Sequence, residues 1–153
     1  MALRLTFFRA FALTTLLLSS NVNVTAVMAG QLDPSGIWLT QAGDAKVGVS
    51  RCGAGICGRI VWLKVPIDPT TGRAQVDDKN PNPSLAKRRI IGLQILIGMK
   101  PQSDNSWSGL IYNADDGKTY TSNISLPSMT SLKVGGCAGV LCGNEIWSKA
   151  SGR

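Results

Sequence analysis

Along most of the chain, apolar and polar positions alternate in short runs that end at turn-forming residues. Eight stretches read as strands: 36–41, 45–51, 58–64, 90–98, 106–113, 118–126, 131–136 and 143–149. Alternation with a period of two sends successive side chains to opposite faces of a sheet. The connections include Ala42-Gly43-Asp44, Asp115-Asp116-Gly117 and Pro127-Ser128. Asp-Gly suits a tight hairpin, because both residues tolerate positive φ. No stretch carries the pattern of a long amphipathic helix. Short strands with turns at regular spacing predict an all-β sandwich or barrel.

One connection breaks the rhythm. Residues 65–89, VPIDPTTGRAQVDDKNPNPSLAKRR, are long, polar and rich in proline. A loop of this length in a small domain is usually functional or disordered. Asn80-Pro81-Asn82-Pro83 resists both helix and strand, and Ser84 to Lys87 leaves room for one helical turn. This segment is the first candidate for a specific activity. The competing reading is an ordered flap that closes one end of a barrel.

The N-terminus sets the compartment. Arg4 and Arg9 precede the apolar run Ala10–Leu18, and Val27-Met28-Ala29 supplies a cleavage site. These are the parts of a secretory signal over residues 1–29, which leaves one domain over 30–153. The run is too short to span a bilayer, which takes about 20 apolar residues. Ile90–Met99 is also short and contains Gly92, Gln94 and Gly98, so an integral membrane protein is not expected. The expected location is the bacterial periplasm or the exterior. Removing Arg4 and Arg9 lowers the formal net charge from +7 to +5, a modestly basic surface. Lys87-Arg88-Arg89 is the one dense basic run. No nucleic-acid motif surrounds it, and no nucleic-acid partner is expected.

Cysteine and histidine then narrow the chemistry. The chain has four cysteines, Cys52, Cys57, Cys137 and Cys142, and no histidine. Without histidine, Ser-His-Asp and Cys-His catalysis and His-ligated zinc are excluded. The cysteines fall in two similar runs, CGAGIC and CAGVLC, each preceded by Lys-Val-Gly and each with a tryptophan five residues beyond. An even number of cysteines in an exported chain reads as disulfides. The spacing suits neither Cys-x-x-Cys redox chemistry nor the usual zinc pair. Each run sits between two apolar stretches, as in a hairpin with a four-residue loop, so Cys52–Cys57 and Cys137–Cys142 are the expected pairs. A cross-link from one hairpin to the other is the alternative if the two are barrel neighbours. No cofactor and no metal are expected.

Gly36-Ile37-Trp38 is similar to the Gly-x-Trp opening of lipocalin-type barrels, and Trp147-Ser148-Lys149 to their closing strand. The wider pattern is more specific. It adds Cys52 through Leu63, Asp78-Lys79-Asn80-Pro81, Gly92-Leu93, Trp107-Ser108-Gly109, Ile111-Tyr112, Asp116 through Tyr120, and Gly136 through Trp147. In order and spacing it resembles the secreted bacterial family called domain of unknown function 2147. The resemblance implies a small antiparallel eight-stranded lipocalin-like barrel with one long loop, and no catalytic residues. It also implies barrel closure by Lys149 packed over Trp38, a cation–π contact. The chain departs from the family at Asn113-Ala114, where an acidic residue and proline are usual, and at Lys149, where arginine is usual. Lysine lacks the planar stacking surface of arginine.

A barrel of eight strands holds packed side chains or one small ligand. The candidates for lining a cavity or shaping its mouth are Trp38, Trp62, Asp78, Asn80, Trp107, Tyr112 and Tyr120. Ile60 and Trp62 are expected on one strand face, and Val61 and Leu63 on the other. Both faces being apolar suggests a covered outer wall, and so a homodimer. The expected function is binding of a small hydrophobic or amphipathic molecule rather than catalysis. The alternative is a packed barrel acting as an inhibitor or assembly factor on an envelope protein.

Overall fold

The computed structural model describes residues 32–103 and 105–151. The signal segment assigned to residues 1–29 lies outside them. Eight antiparallel strands close in chain order into a barrel: β1 (Gly36–Leu39), β2 (Ala45–Cys52), β3 (Gly55–Leu63), β4 (Gln94–Ser103), β5 (Ser106–Asn113), β6 (Lys118–Ser128), β7 (Ser131–Ala138) and β8 (Leu141–Ala150). The protein is thus an all-β, eight-stranded antiparallel barrel.

The strands match the alternation, with instructive differences. β4 starts four residues later than expected and runs through Pro101. Ile90 and Leu93 are buried, but they sit in a turn at Gly92, where φ is +97°. Their apolar character belongs to the core and not to a strand. The cysteine hairpins are tighter than expected. Each turns through two residues, Gly53-Ala54 and Gly139-Val140, with positive φ at the glycine alone. A leading glycine of this kind belongs to the type II′ turn, whose twist suits a hairpin. β6 likewise continues through Pro127-Ser128, and the chain turns at Met129-Thr130.

The barrel interior is apolar. Val47, Val49, Ile56, Leu96, Met99, Ile124, Leu132 and Trp147 form one buried cluster. Lys46, Arg59, Asn123, Lys133 and Ser148 point outward. One inward polar residue, Ser122, donates its hydroxyl to the Gly135 carbonyl at 2.7 Å, which removes the cost of burying it.

A bulge corrects the sequence reading of β3. Lys46 pairs with Trp62 and Val47 with Ile60, so Val61 is the extra residue. A bulge shifts the alternation by one. Ile60 and Leu63 therefore both face inward, while Val61 and Trp62 remain half-exposed on the outer wall.

The up-and-down order puts the turns at alternating ends. One end carries the chain start and the β2–β3, β4–β5 and β6–β7 turns. The other carries the β1–β2 turn, the long β3–β4 loop and the β5–β6 and β7–β8 turns.

Candidate ligand-binding site

The two ends of the barrel are built differently. At the first end Trp38 is fully buried and donates its indole N–H to the Pro34 carbonyl at 2.8 Å. Lys149, opposite Trp38 in the β1–β8 register, lays its ammonium 4.4 Å from the Trp38 ring centroid. The same ammonium donates to the Ser35 carbonyl at 2.6 Å. Gly36 makes room for this arrangement. Its φ is +136°, and a Cβ there would lie 2.5 Å from Lys149 Nζ. Leu32 caps the same end, its N–H bonded to Asn105 Oδ1 at 2.8 Å.

The second end opens into a cavity of about 750 Å³. Its deeper wall is apolar: Val47, Ile60, Leu63, Ile95, Ile111, Val134 and Trp147. Its rim is polar and charged, with Asp44, Lys64, Gln75, Asp78, Lys79, Asp115 and Asn144. Gly136 and Gly143 keep one side of the wall low. This volume lies within the range of small-molecule sites, about 300–1,000 Å³.

The long loop is an ordered flap on this end. Residues 67 and 74 bridge, as do 76 and 89. Asp68 Oδ1 accepts the Thr70 and Thr71 N–H groups, which holds the Asp68 carboxyl below its ordinary pKa. The expected helical turn is a single turn, closed by the Ala86 N–H on the Asn82 carbonyl at 3.0 Å.

What fixes the flap to the barrel is Asp77, which is fully buried. Tyr112 donates its hydroxyl to Asp77 Oδ1 at 2.6 Å. Asn80 Nδ2, Arg88 Nε and Arg88 Nη2 all donate to Oδ2, at 3.0, 2.8 and 2.8 Å. Asn80 Nδ2 also reaches the Tyr112 hydroxyl at 2.8 Å, and the Arg88 guanidinium lies 5.2 Å from the Tyr112 ring centroid. Burial, and then the Asp77 carboxylate, push the Tyr112 phenol above its ordinary pKa. The β5–β6 turn locks against the flap from below. A Cβ at Gly117 would lie 2.0 Å from the Lys79 carbonyl oxygen, so only glycine permits this approach.

The candidate residues therefore separate. Asp78, Tyr112 and Tyr120 line the cavity. Tyr120 donates its hydroxyl to Asp116, which raises the phenol pKa and lowers that of the carboxyl. Asn80 belongs to the Asp77 anchor. Asp78, expected to line the cavity or shape its mouth, is exposed at the rim and pairs with Lys79 at 3.3 Å, and it does not order the loop. The ordering carboxylate is its neighbour, because Asp77 faces the barrel. Trp38 is in the plug at the closed end. Trp107 is buried and borders a smaller hollow of about 310 Å³ with Asn123, Ser125 and Lys133. The bulge at Val61 takes Trp62 to the outer wall, where Lys46 lies 5.3 Å from its ring centroid, so it cannot line the cavity. Trp147, missed as a lining residue, lies in the wall with its indole N–H on Glu145 Oε2 at 2.8 Å. Its inward phase was readable from the alternation of β8.

Both disulfides join the ends of their own hairpins, Cys52–Cys57 and Cys137–Cys142. The two hairpins lie at opposite ends of the barrel, which rules out the alternative cross-link. Among the described residues no group of three or more His, Cys, Asp or Glu is placed to hold a metal. No helix among them is long and apolar enough to cross a membrane.

Comparison with known proteins places this architecture. The structure is similar to that of protein HP1028 from the human pathogen Helicobacter pylori, described as belonging to the lipocalin family. The TM-score is 0.66 at 23% identity, over 78% of this chain and 84% of that one. At this identity the likeness establishes the lipocalin-like fold alone. No curated protein matches the chain. A family model matches residues 36–149, from the Gly-x-Trp opening to the lysine that covers it. The chain belongs to the family described as uncharacterized protein conserved in bacteria, domain of unknown function 2147.

Proposed function

We propose that the protein is an exported binding protein for one small hydrophobic or amphipathic molecule, and not an enzyme. The observation that carries this reading is the cavity of about 750 Å³, apolar in its depth, charged at its rim and plugged at the far end. An aliphatic or aromatic body would lie against Ile60, Ile111 and Trp147. A polar end would stay at the rim. Export to the periplasm or beyond is supported by the signal-like N-terminus and by two disulfides, which persist in oxidising compartments.

The test fills the cavity. A Cβ at Gly136 would make only an ordinary contact, 3.5 Å from Ile111 Cγ2. Gly136→Leu should therefore fold and occupy the space a ligand needs. With N-phenyl-1-naphthylamine as a fluorescent probe, the wild-type protein should bind and the variant should bind at least about tenfold more weakly, the effect of losing roughly 1.4 kcal/mol. Equal binding by both would remove the cavity from the account.

A second reading draws on the outer wall. Val61 and Trp62 are 46% and 38% exposed beside the half-buried Ile37, a patch suited to a second copy or an envelope protein. Sedimentation equilibrium of the wild type and Trp62→Ser tests it. A monomer in both cases removes the homodimer.

A further inference from the structure

The β7–β8 hairpin ends in the most exposed apolar side chains of the described residues. Val140 is 96% exposed and Leu141 76%. Val140 occupies the turn and Leu141 opens β8, and the Cys137–Cys142 disulfide joins the residues directly opposite each other just beneath them. That staple fixes the two strands of the hairpin to each other beneath the tip, and both side chains stand in solvent. The tip belongs to the open end, and Gly143, Asn144 and Glu145 of the same hairpin line the cavity. Val65 and Ile67, 51% and 49% exposed, stand on the same end in the long loop.

We propose that this tip docks the open end onto a lipid bilayer, so that an amphiphile passes between membrane and cavity without crossing water. The proposal rests on the binding function above. Three observations favour a bilayer of neutral lipid as the occupant. Residues 134–144 carry no formal charge, as entry into hydrocarbon requires. The tip is a two-residue point and not a face, so it suits a deformable apolar phase better than a second protein surface. The rim beside it carries four carboxylates, Asp44, Asp78, Asp115 and Glu145, against Lys64 and Lys79, a local balance that favours neutral over anionic headgroups. Burial of two side chains makes a weak, reversible attachment, which a shuttling protein needs.

A partner strand is the rival occupant. β1 pairs only with Ser148, Lys149 and Ala150 of β8. Between Leu141 and Trp147, among the described residues, that edge meets the Gln41 side chain, which accepts the Ile146 N–H at 2.8 Å. An extended segment could add there, but Val140 lies beyond the edge, in the turn.

The experiment is flotation of the mature protein with phosphatidylcholine vesicles, alongside N-phenyl-1-naphthylamine titration without vesicles. Val140→Ser/Leu141→Ser should lower vesicle partition at least about tenfold, roughly the loss of 1.4 kcal/mol of apolar burial, and leave probe binding unchanged. Val140→Trp should raise partition, with its emission shifting blue on vesicles. Adding anionic lipid should not strengthen binding, and salt should not release it. Unchanged partition of the double variant would overturn the proposal. So would a change in self-association without a change in partition, which would assign the tip to a protein partner. Loss of probe binding by the wild type would instead sink the cavity reading, whatever the vesicles show.

Discussion

Asp77→Ala is the most informative single change to this barrel. It removes the one carboxylate that ties the long loop to β5. The wild-type group accepts from Tyr112 Oη, Asn80 Nδ2 and two Arg88 nitrogens, and is itself fully buried. Its loss leaves a guanidinium, a phenol and an amide without their acceptor. Breaking a buried ion pair at one partner costs about 3–5 kcal/mol. The Arg88 side chain is 37% exposed, so water recovers part of its solvation, and a loss near the lower end, about 3 kcal/mol, is expected. For a domain of this size each kcal/mol lowers Tm by about 4 °C, so the shift should be about 12 °C. Asp78→Ala is the internal control. Its partner Lys79 is exposed at 3.3 Å, and such a pair contributes less than about 1 kcal/mol. Thermal unfolding followed by far-ultraviolet circular dichroism measures both. Hydrogen exchange should also rise in residues 64–93 of Asp77→Ala before global unfolding. Equal Tm values for the two variants would refute the assignment of the anchor to Asp77.

The plug and the tyrosines give three further tests. Gly36→Ala should cost about 1–3 kcal/mol by calorimetry, since φ is +136° there and the added methyl displaces the Lys149 ammonium; a neutral result would show that Lys149 does not need that space. Lys149→Met should cost about 1 kcal/mol, because the cation–π contact and the bond to the Ser35 carbonyl are lost together; a Tm unchanged or raised would remove the plug role. Both tyrosines have phenol pKa values above the ordinary 10.0, so absorbance at 295 nm should rise at higher pH in the folded protein than in urea, with Tyr112→Phe leaving only the Tyr120 step. Because those folded values are raised, the tyrosine contribution to stability should be complete below pH 10 and fall as pH climbs towards them. Asp116, whose carboxyl is held below 3.8 by Tyr120, works in the opposite sense, its contribution present above pH 3.8 and lost as pH falls further.

The fold was legible because barrels write themselves as period-two patterns and turn residues, both local signals. All eight strands fall on stretches that alternate, and the cysteine runs lie at hairpin turns. What was lost was phase. A single extra residue at Val61 moves Trp62 from the interior to the surface, and nothing in the composition of Ile-Val-Trp-Leu marks which of four apolar residues is the bulge. The loop anchor was hidden for a related reason. Asp77 and Asp78 are identical in type and adjacent, and the choice between them depends on which one the folded loop turns towards Tyr112, thirty-five residues away. Local turn chemistry can propose that an aspartate orders its loop, but only tertiary contact decides the residue.

The same contrast explains how the barrel can hold a hollow without losing its shape. Closing an eight-stranded barrel fixes its diameter, and the weight of side chains then decides whether the interior is filled. At the plugged end Trp38, Met99, Trp107 and Leu132 fill it. At the open end Gly136 and Gly143 withhold side chains from the wall, and the volume they leave must be kept from collapsing. The restraints sit where that collapse would begin. The Asp77 network pins the flap from one side, and the Cys137–Cys142 staple holds the hairpin from the other. A disulfide closing so short a loop contributes about 2 kcal/mol by chain entropy, less than a long-range link would. Stability alone would favour the longer cross-link; two local staples at opposite ends instead set the shape of each hairpin where it meets the solvent. The Cys137–Cys142 pair should therefore matter more to binding than to Tm. Cys137→Ser/Cys142→Ser should lower Tm by about 8 °C, the effect of roughly 2 kcal/mol, yet weaken binding of N-phenyl-1-naphthylamine, whereas Cys52→Ser/Cys57→Ser should cost similar stability and leave that binding intact. Equal binding losses in the two pairs would mean that the open end is shaped by the barrel as a whole and not by its own staple.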